Sequence, residues 1–167
     1  LTKTSLQSFL PIIDETSRVL VLGSMPSVQS LREQRYYANP QNQFWRIIYT
    51  IFSASLDSDY TRRIEFIRSK RIALWDVIAT CHREGSLDSK IKDEKANDFG
   101  QLFNTYTNLG LVVFNGSKAY ATFKKQVGFD FTKVSFKQLP STSPANTIKL
   151  EEKICHWSII RSFLDNS

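Results

Sequence analysis

Several short segments carry side chains able to act on a base or on a polyanion. Phe114-Asn-Gly-Ser-Lys-Ala-Tyr120 places an amide beside a glycine and a helix start. Such an amide both donates to and accepts from a base edge, and a helix start can hold a phosphate. The bland alternative is a turn Asn with Ser117 as the helix cap. In Gln138-Leu-Pro-Ser-Thr-Ser-Pro-Ala-Asn146, two prolines bracket three hydroxyls in a rigid loop. Its hydroxyls and amides could grip phosphates or simply face solvent.

Gln34-Arg-Tyr-Tyr-Ala-Asn-Pro-Gln-Asn-Gln-Phe-Trp45 packs aromatics and amides where a charged catalytic group would be looked for. Asn39 or Asn42 could equally be N-caps, Pro40 suits a first helical turn, and Phe44 and Trp45 suit a core. Gly23-Ser-Met-Pro-Ser27 reads as a glycine-permitted turn stiffened by Pro26. Asp76, in the segment Leu74 to Ile91, is either catalytic or a turn cap. His82 has no second His or acid at metal spacing, so no metal site is expected.

These segments need elements to position them. Four apolar runs predict buried strands: Arg18–Gly23, Arg71–Trp75, Leu109–Asn115 and Lys133–Leu139, the last alternating like an edge strand. Helical patterns fall between them at Phe44–Phe52, Tyr60–Ser69, Asp98–Asn108 and Ser117–Val127. A last helix carries Leu150, Ile154, Trp157, Ile160 and Leu164 on one face. Alternating strands and helices predict a parallel sheet covered on both faces. Ligands of such sheets bind beyond the carboxyl ends of the strands, where the polar segments follow Gly23, Trp75, Asn115 and Leu139. All should converge on one cleft.

Composition bounds the rest. The 167 residues suit one domain, 1–167, and 41% hydrophobic with 23% charged residues argues against disorder. Lys plus Arg number 22 against 16 Asp plus Glu, a net charge of +6, with pI near 9.4. That surplus fits a polyanionic partner. Cys81 and Cys155 form no CxxC, and two free thiols in a reducing cytoplasm are expected. No apolar run reaches membrane-spanning length. Leu1–Leu10 is not read as a signal peptide, because Lys3, Ser5 and Gln7 break it.

Gly23-Ser-Met-Pro-Ser27 followed by Tyr36-Tyr-Ala-Asn-Pro-Gln-Asn-Gln-Phe-Trp45 resembles the first motif of hypoxanthine-DNA glycosylases, a branch of the uracil-DNA glycosylase superfamily. Leu74-Trp-Asp-Val77, Arg83-Glu-Gly-Ser-Leu-Asp88, Phe114-Asn-Gly116 and Leu139-Pro-Ser-Thr-Ser-Pro-Ala145 match later blocks in the same order. The resemblance covers roughly residues 18 to 160. It implies an α/β fold of three layers, α/β/α, with a central four-stranded parallel sheet. It also implies that the target nucleotide is flipped out of DNA into a pocket.

On this resemblance Asn42 is the catalytic residue. Met25, Phe44 and Asn115 are placed at the base, Phe44 as the stacking aromatic and Asn115 as the reader of its edge. Ser24, Lys118, Ser141, Thr142 and Ser143 are DNA contacts, and Pro140–Pro144 is the loop that pinches the backbone. Two departures separate the chain from uracil-specific members. Met25 stands where they carry Asp or Asn, and Leu139 where they often carry His. Asn39 also replaces the branch's usual His. Branches with an iron–sulfur cluster need four cysteines.

The expected reaction is monofunctional hydrolysis of the N-glycosidic bond of a deaminated base, hypoxanthine foremost, in double-stranded DNA. It leaves an abasic site and uses no metal or cofactor. A cytoplasmic monomer is expected. Asn42 would position water for an oxocarbenium-like sugar. The rivals are a nucleic-acid-binding module of the same fold without catalysis, and a hydrolase of free nucleotides.

Overall fold

The computed structural model describes residues 5–166, so Leu1–Thr4 of the amino-terminal stretch lie outside the described residues. In chain order the elements are β1 (Leu6–Gln7), β2 (Val19–Gly23), α1 (Val28–Glu33), α2 (Phe44–Ile51), α3 (Tyr60–Ser69), β3 (Ile72–Asp76), β4 (Ile78–His82) and, after a 3-10 turn at Asp88–Lys90, β5 (Lys92–Ala96). There follow α4 (Phe99–Thr105), β6 (Leu111–Asn115), α5 (Ser117–Gln126), β7 (Ser135–Leu139), α6 (Leu150–Trp157) and α7 (Ile159–Asp165).

The four anticipated strands form one sheet in the order β3-β2-β6-β7, and every neighbouring pair is parallel. Residue alternation along the strands divides the apolar side chains between two layers. Val19, Val21, Ile72, Leu74, Leu111 and Val113 face α2, α3, α6 and α7. Leu20, Leu22, Ala73, Val112 and Phe114 face α4 and α5. The result is the three-layer α/β/α arrangement. β7 is the edge strand, and most of it is exposed or half-buried.

The structure adds a second, antiparallel sheet, β1-β4-β5. β5 reads Lys-Asp-Glu-Lys-Ala, a composition depleted in strands. Its edge position tolerates the charge, which also discourages pairing with other chains. α1 was likewise not anticipated. The single carboxy-terminal helix is corrected to two, which meet at Ser158, where the Ser158 hydroxyl donates back to the Cys155 carbonyl at 2.6 Å. Pro40 lies not in a first helical turn but in a separate turn four residues ahead of α2. There the Asn42 N–H donates to the Asn39 carbonyl at 2.9 Å.

Candidate active site

Beyond the carboxyl ends of the four parallel strands lies a cleft of about 490 Å³, within the ~300–1,000 Å³ typical of small-molecule sites. Each strand end contributes to it. β2 delivers Gly23, Ser24 and Met25, β3 delivers Asp76, β6 delivers Asn115, and the segment after β7 delivers Ser141, Thr142 and Ser143; Asn42 enters from the segment before α2. The polar segments thus converge as the sheet rule requires.

Thr142 is the centre of the site and is fully buried. Its hydroxyl donates to Asn42 Oδ1 at 2.8 Å and accepts from Asn115 Nδ2 at 2.9 Å. Its backbone N–H donates to Asn115 Oδ1, also at 2.9 Å. Asn42 Oδ1 takes a second bond from the Phe44 N–H at 2.9 Å. The two backbone donors fix which end of each amide is oxygen, since an N–H cannot face an NH2. Asn42 Oδ1 is therefore engaged twice, and its Nδ2 has no partner among the described residues. Asn42 can donate into the cleft but has little left with which to accept. The bond to Phe44 is also a helix-start contact, so the capping and functional readings of Asn42 coexist.

Asn115 is more committed still. Its Nδ2 also donates to the Tyr37 hydroxyl at 3.3 Å, leaving one Oδ1 lone pair free. Next to it, Gly116 has φ +96°, and a β-carbon there would meet the Ser141 side chain at 3.0 Å. Only glycine lets the two strand-end loops approach so closely.

Tyr37 is the residue that sequence reasoning missed. It lines the cleft at φ +54°, a left-handed conformation that is an outlier for a bulky side chain. Its ring stacks on Phe44 with centroids 4.0 Å apart. Phe44 itself is fully buried and does not line the cleft, because Tyr37 lies over it. No signal in the sequence separates it from Tyr36, which packs on the same core cluster and also lines the cleft. Tyr36 is buried, with its hydroxyl on the Leu10 carbonyl at 2.9 Å.

Lys118, expected as a DNA contact, has a partner within the protein. It pairs with Glu94 of β5 at 2.6 Å, both groups partly buried, and is not among the cleft-lining residues. This bond holds the Glu94 carboxyl below its ordinary range. Ser24 lines the cleft, but its hydroxyl donates to Asp88 Oδ1 at 2.6 Å. Met25 lines it and packs on Ile78, Cys81 and Ile91. Ser141 and Ser143 line it too, each hydroxyl accepting a backbone N–H two residues on. Leu139 is buried at the end of β7, outside the lining.

The block Arg83–Asp88 acts as a clamp on the first loop. Arg83 Nη2 donates to the Pro26 carbonyl, the Val28 N–H donates to Ser86 Oγ at 2.9 Å, and Asp88 receives Ser24. Lys153, buried in α6, ties the other side of the cleft. It donates to Gln43 Oε1 at 2.9 Å and to the Asn146 carbonyl at 3.0 Å, and burial lowers its pKa. Asp76 is buried too, and burial pushes its carboxyl up to about 7, against the pull of Arg83 and with the push of Asp88. Among the described residues no group of three His, Cys, Asp or Glu could hold a metal, Cys81 and Cys155 are free thiols, and no helix is long and apolar enough to cross a membrane.

A parallel sheet with an amide-lined cleft at its strand ends defines the class. The profile of the Uracil DNA glycosylase superfamily matches residues 10–162, and the chain belongs to that superfamily. Two proteins named hypoxanthine DNA glycosylase resemble it nearly end to end. That of Methanosarcina barkeri is 40% identical over 155 residues, covering 91% of this chain and 95% of its own. That of Methanosarcina acetivorans is 40% identical over 157 residues, covering 92% and 96%. A solution NMR structure of a candidate uracil DNA glycosylase from Methanosarcina acetivorans superposes with a TM-score of 0.81 at 36% identity, covering 97% of this chain and 99% of that one.

Proposed function

We propose that this chain is a DNA glycosylase that hydrolyses the N-glycosidic bond of deaminated bases, hypoxanthine foremost, and leaves an abasic site. The observation that carries this reading is the Asn115–Thr142–Asn42 relay at the floor of a nucleotide-sized cleft. The 40% identity to proteins named for hypoxanthine supports the choice of base. Met25 and Leu139, standing where uracil-specific members carry polar groups, support weak action on uracil.

In this mechanism the extruded base stacks on Tyr37, which Phe44 backs from below. Asn42 Nδ2 holds the attacking water through its oxygen. It takes no proton, since a neutral amide is no base at neutral pH. An oxocarbenium-like sugar needs only a well-placed weak nucleophile. Because Asn42 Oδ1 is tied to Thr142 and Phe44, the sugar cation is stabilised by the DNA phosphates instead. Ser141, Ser143 and the first N–H groups of α5, which has no side-chain cap, suit those phosphates. No lysine among the described residues lines the cleft, which favours simple hydrolysis over a Schiff base. We take the enzyme to act as a monomer on double-stranded DNA in the cytoplasm, a compartment that suits its free thiols.

The test is a panel of duplexes bearing hypoxanthine, uracil, xanthine or 3,N4-ethenocytosine. Hypoxanthine is expected to be released fastest, with no strand cut. Rapid uracil release without hypoxanthine release contradicts the assignment, and binding without release of any base supports the noncatalytic rival.

A further inference from the structure

We propose that Asp76 is a catalytic residue, the proton carrier of this cleft, which donates to the departing base in its acid form. The proposal rests on the glycosylase reading above and supplies what that reading lacks. Asn42 and Asn115 are neutral amides already committed to Thr142. Among the described residues, the ionisable side chains lining the cleft are Tyr36, Tyr37, Asp76 and Asp88. Burial holds both tyrosines far above neutrality. Asp88 accepts the Ser24 hydroxyl at 2.6 Å. Asp76 is what remains.

Its setting is unusual for a structural carboxylate. Asp76 is 4% exposed, and neither carboxyl oxygen has a hydrogen-bond partner among the described residues. Oδ2 is buried without one. The only other such side-chain atoms among the described residues are Nε and Nη1 of Arg83, whose charge acts on Asp76. An unpaired buried carboxylate is costly, and protonation relieves that cost. Oδ1 lies over the end of β2, where a β-carbon on Gly23 would come within 2.6 Å of it and within 3.3 Å of the Tyr37 hydroxyl. Gly23 thus makes room for an acid and a phenol side by side. The charged and titratable groups acting on Asp76 are Arg83 at the end of β4, Asp88 in the 3-10 turn, and Tyr36 and Tyr37 from the α1–α2 segment. Burial above all, opposed by Arg83 and aided by Asp88, sets its pKa near 7, close to the optimum for an acid working at neutral pH.

Topology assigns the direction of transfer. Asp76 ends β3, at one edge of the sheet, whereas Thr142, which holds Asn42, is bonded to Asn115 at the end of β6, two strands away. Asp76 and Asn115 end strands that flank β2, roughly 10 Å apart at strand spacing. Water held at Asn42 puts the sugar at the β6 side, so the base extends toward Asp76. The C1′–N9 bond breaks with its electron pair moving to the purine. The Asp76 O–H proton passes to a purine ring nitrogen with a free lone pair, N3 or N7, and the base leaves neutral. Water adds to C1′, and its surplus proton returns through cleft solvent to the Asp76 carboxylate.

The experiment is single-turnover release of hypoxanthine from a deoxyinosine duplex between pH 5 and 9, by the wild-type chain and by Asp76→Asn. Thermal melting and binding to uncleavable DNA are followed in parallel. The wild-type rate is expected to be level below about pH 7 and to fall about tenfold per unit above it. Asp76→Asn, nearly isosteric, should bind DNA like wild type, stay folded across the range with a melting point no lower than wild type at the alkaline end, lose about 100- to 10,000-fold in rate at pH 6, and show no break near 7. A variant within a few-fold of wild type overturns the role. So does a wild-type rate that rises through pH 7, a readout that needs no variant to fold. No base release by the wild-type chain at any pH overturns the glycosylase reading and this role with it.

Discussion

The Thr142 hydroxyl lies 2.8 Å from Asn42 Oδ1, joining residues 100 positions apart in the chain. This bond turns the Asn42 amide so that only its NH2 end is free. The resulting line of donors, from Asn115 through Thr142 to Asn42, makes two amides one unit. Removing its middle member should disturb both ends.

Thr142→Val keeps the shape and deletes the hydroxyl. Loss of orientation at Asn42 is expected to slow single-turnover excision by about 100-fold, the scale of a 1 Å misplacement. Losing two hydrogen bonds, while Asn42 Oδ1 keeps the Phe44 N–H and Asn115 Nδ2 keeps the Tyr37 hydroxyl, should also cost about 1–3 kcal/mol of stability. Thr142→Ser should restore most of both. A Thr142→Val enzyme of normal rate would show that the relay does not position Asn42.

Tyr37 and Phe44 should separate cleanly. Tyr37→Ala removes the ring that meets the base, so capture of the extruded nucleotide should weaken by about 1–3 kcal/mol with modest loss of stability. Phe44→Ala removes a buried ring and should cost about 3–5 kcal/mol of folding stability. Melting together with binding to an uncleavable flipped-base analogue reads both. Equal binding by Tyr37→Ala and wild type would return the stacking role to Phe44.

Asp76 also makes a prediction about folding alone. Its folded pKa near 7 lies above the ordinary aspartate value of 3.8, so between about pH 4 and 7 the folded chain keeps a proton that the unfolded chain has lost. The stabilisation is full at the acid end and disappears as pH rises through 7. Glu94 works the other way, since its lowered pKa stabilises the fold until acid protonates it. Urea unfolding from pH 4 to 8 should show Asp76→Asn becoming the more stable chain at the alkaline end, by an amount on the order of a few kcal/mol. Parallel curves for the two chains would place the Asp76 pKa elsewhere.

Binding to duplex DNA should weaken steeply as salt rises, because the +6 charge draws on counterion release. Lys118→Met should change the salt slope little, since that lysine is already paired with Glu94. A slope reduced by a full unit would mean that the pair opens to contact phosphate.

The parallel sheet was legible because β2, β3 and β6 are unbroken apolar runs, the mark of strands buried on both faces. The convergence of the polar segments followed from that topology. The antiparallel sheet was not legible, because β5 is charged and is held in place by pairing with β4 rather than by its own propensity. Asn115 and the Pro140–Pro144 loop stood out by type and position, and Asn42 through the family resemblance, but which atoms Asn42, Asn115 and Thr142 leave free depends on bonds across 100 residues. That Tyr37 rather than Phe44 lines the cleft was not legible, because side-chain direction at a left-handed residue cannot be read from helical periodicity. Lys118 looked free until β5 brought Glu94 beside it.

The central claim is chemistry at Asn42, and single-turnover release of hypoxanthine from a deoxyinosine duplex by Asn42→Ala tests it most directly. Binding to uncleavable DNA and thermal melting are measured alongside. Removing the donor that holds the water acts mainly in the transition state. The rate should fall by about 100- to 1,000-fold, with DNA affinity nearly unchanged. Asn42 also accepts the Phe44 N–H at the helix start, so a stability loss of about 0.5–2 kcal/mol should accompany it. That loss without a fall in rate, once only folded molecules are counted, would contradict the account and leave Asn42 as a cap.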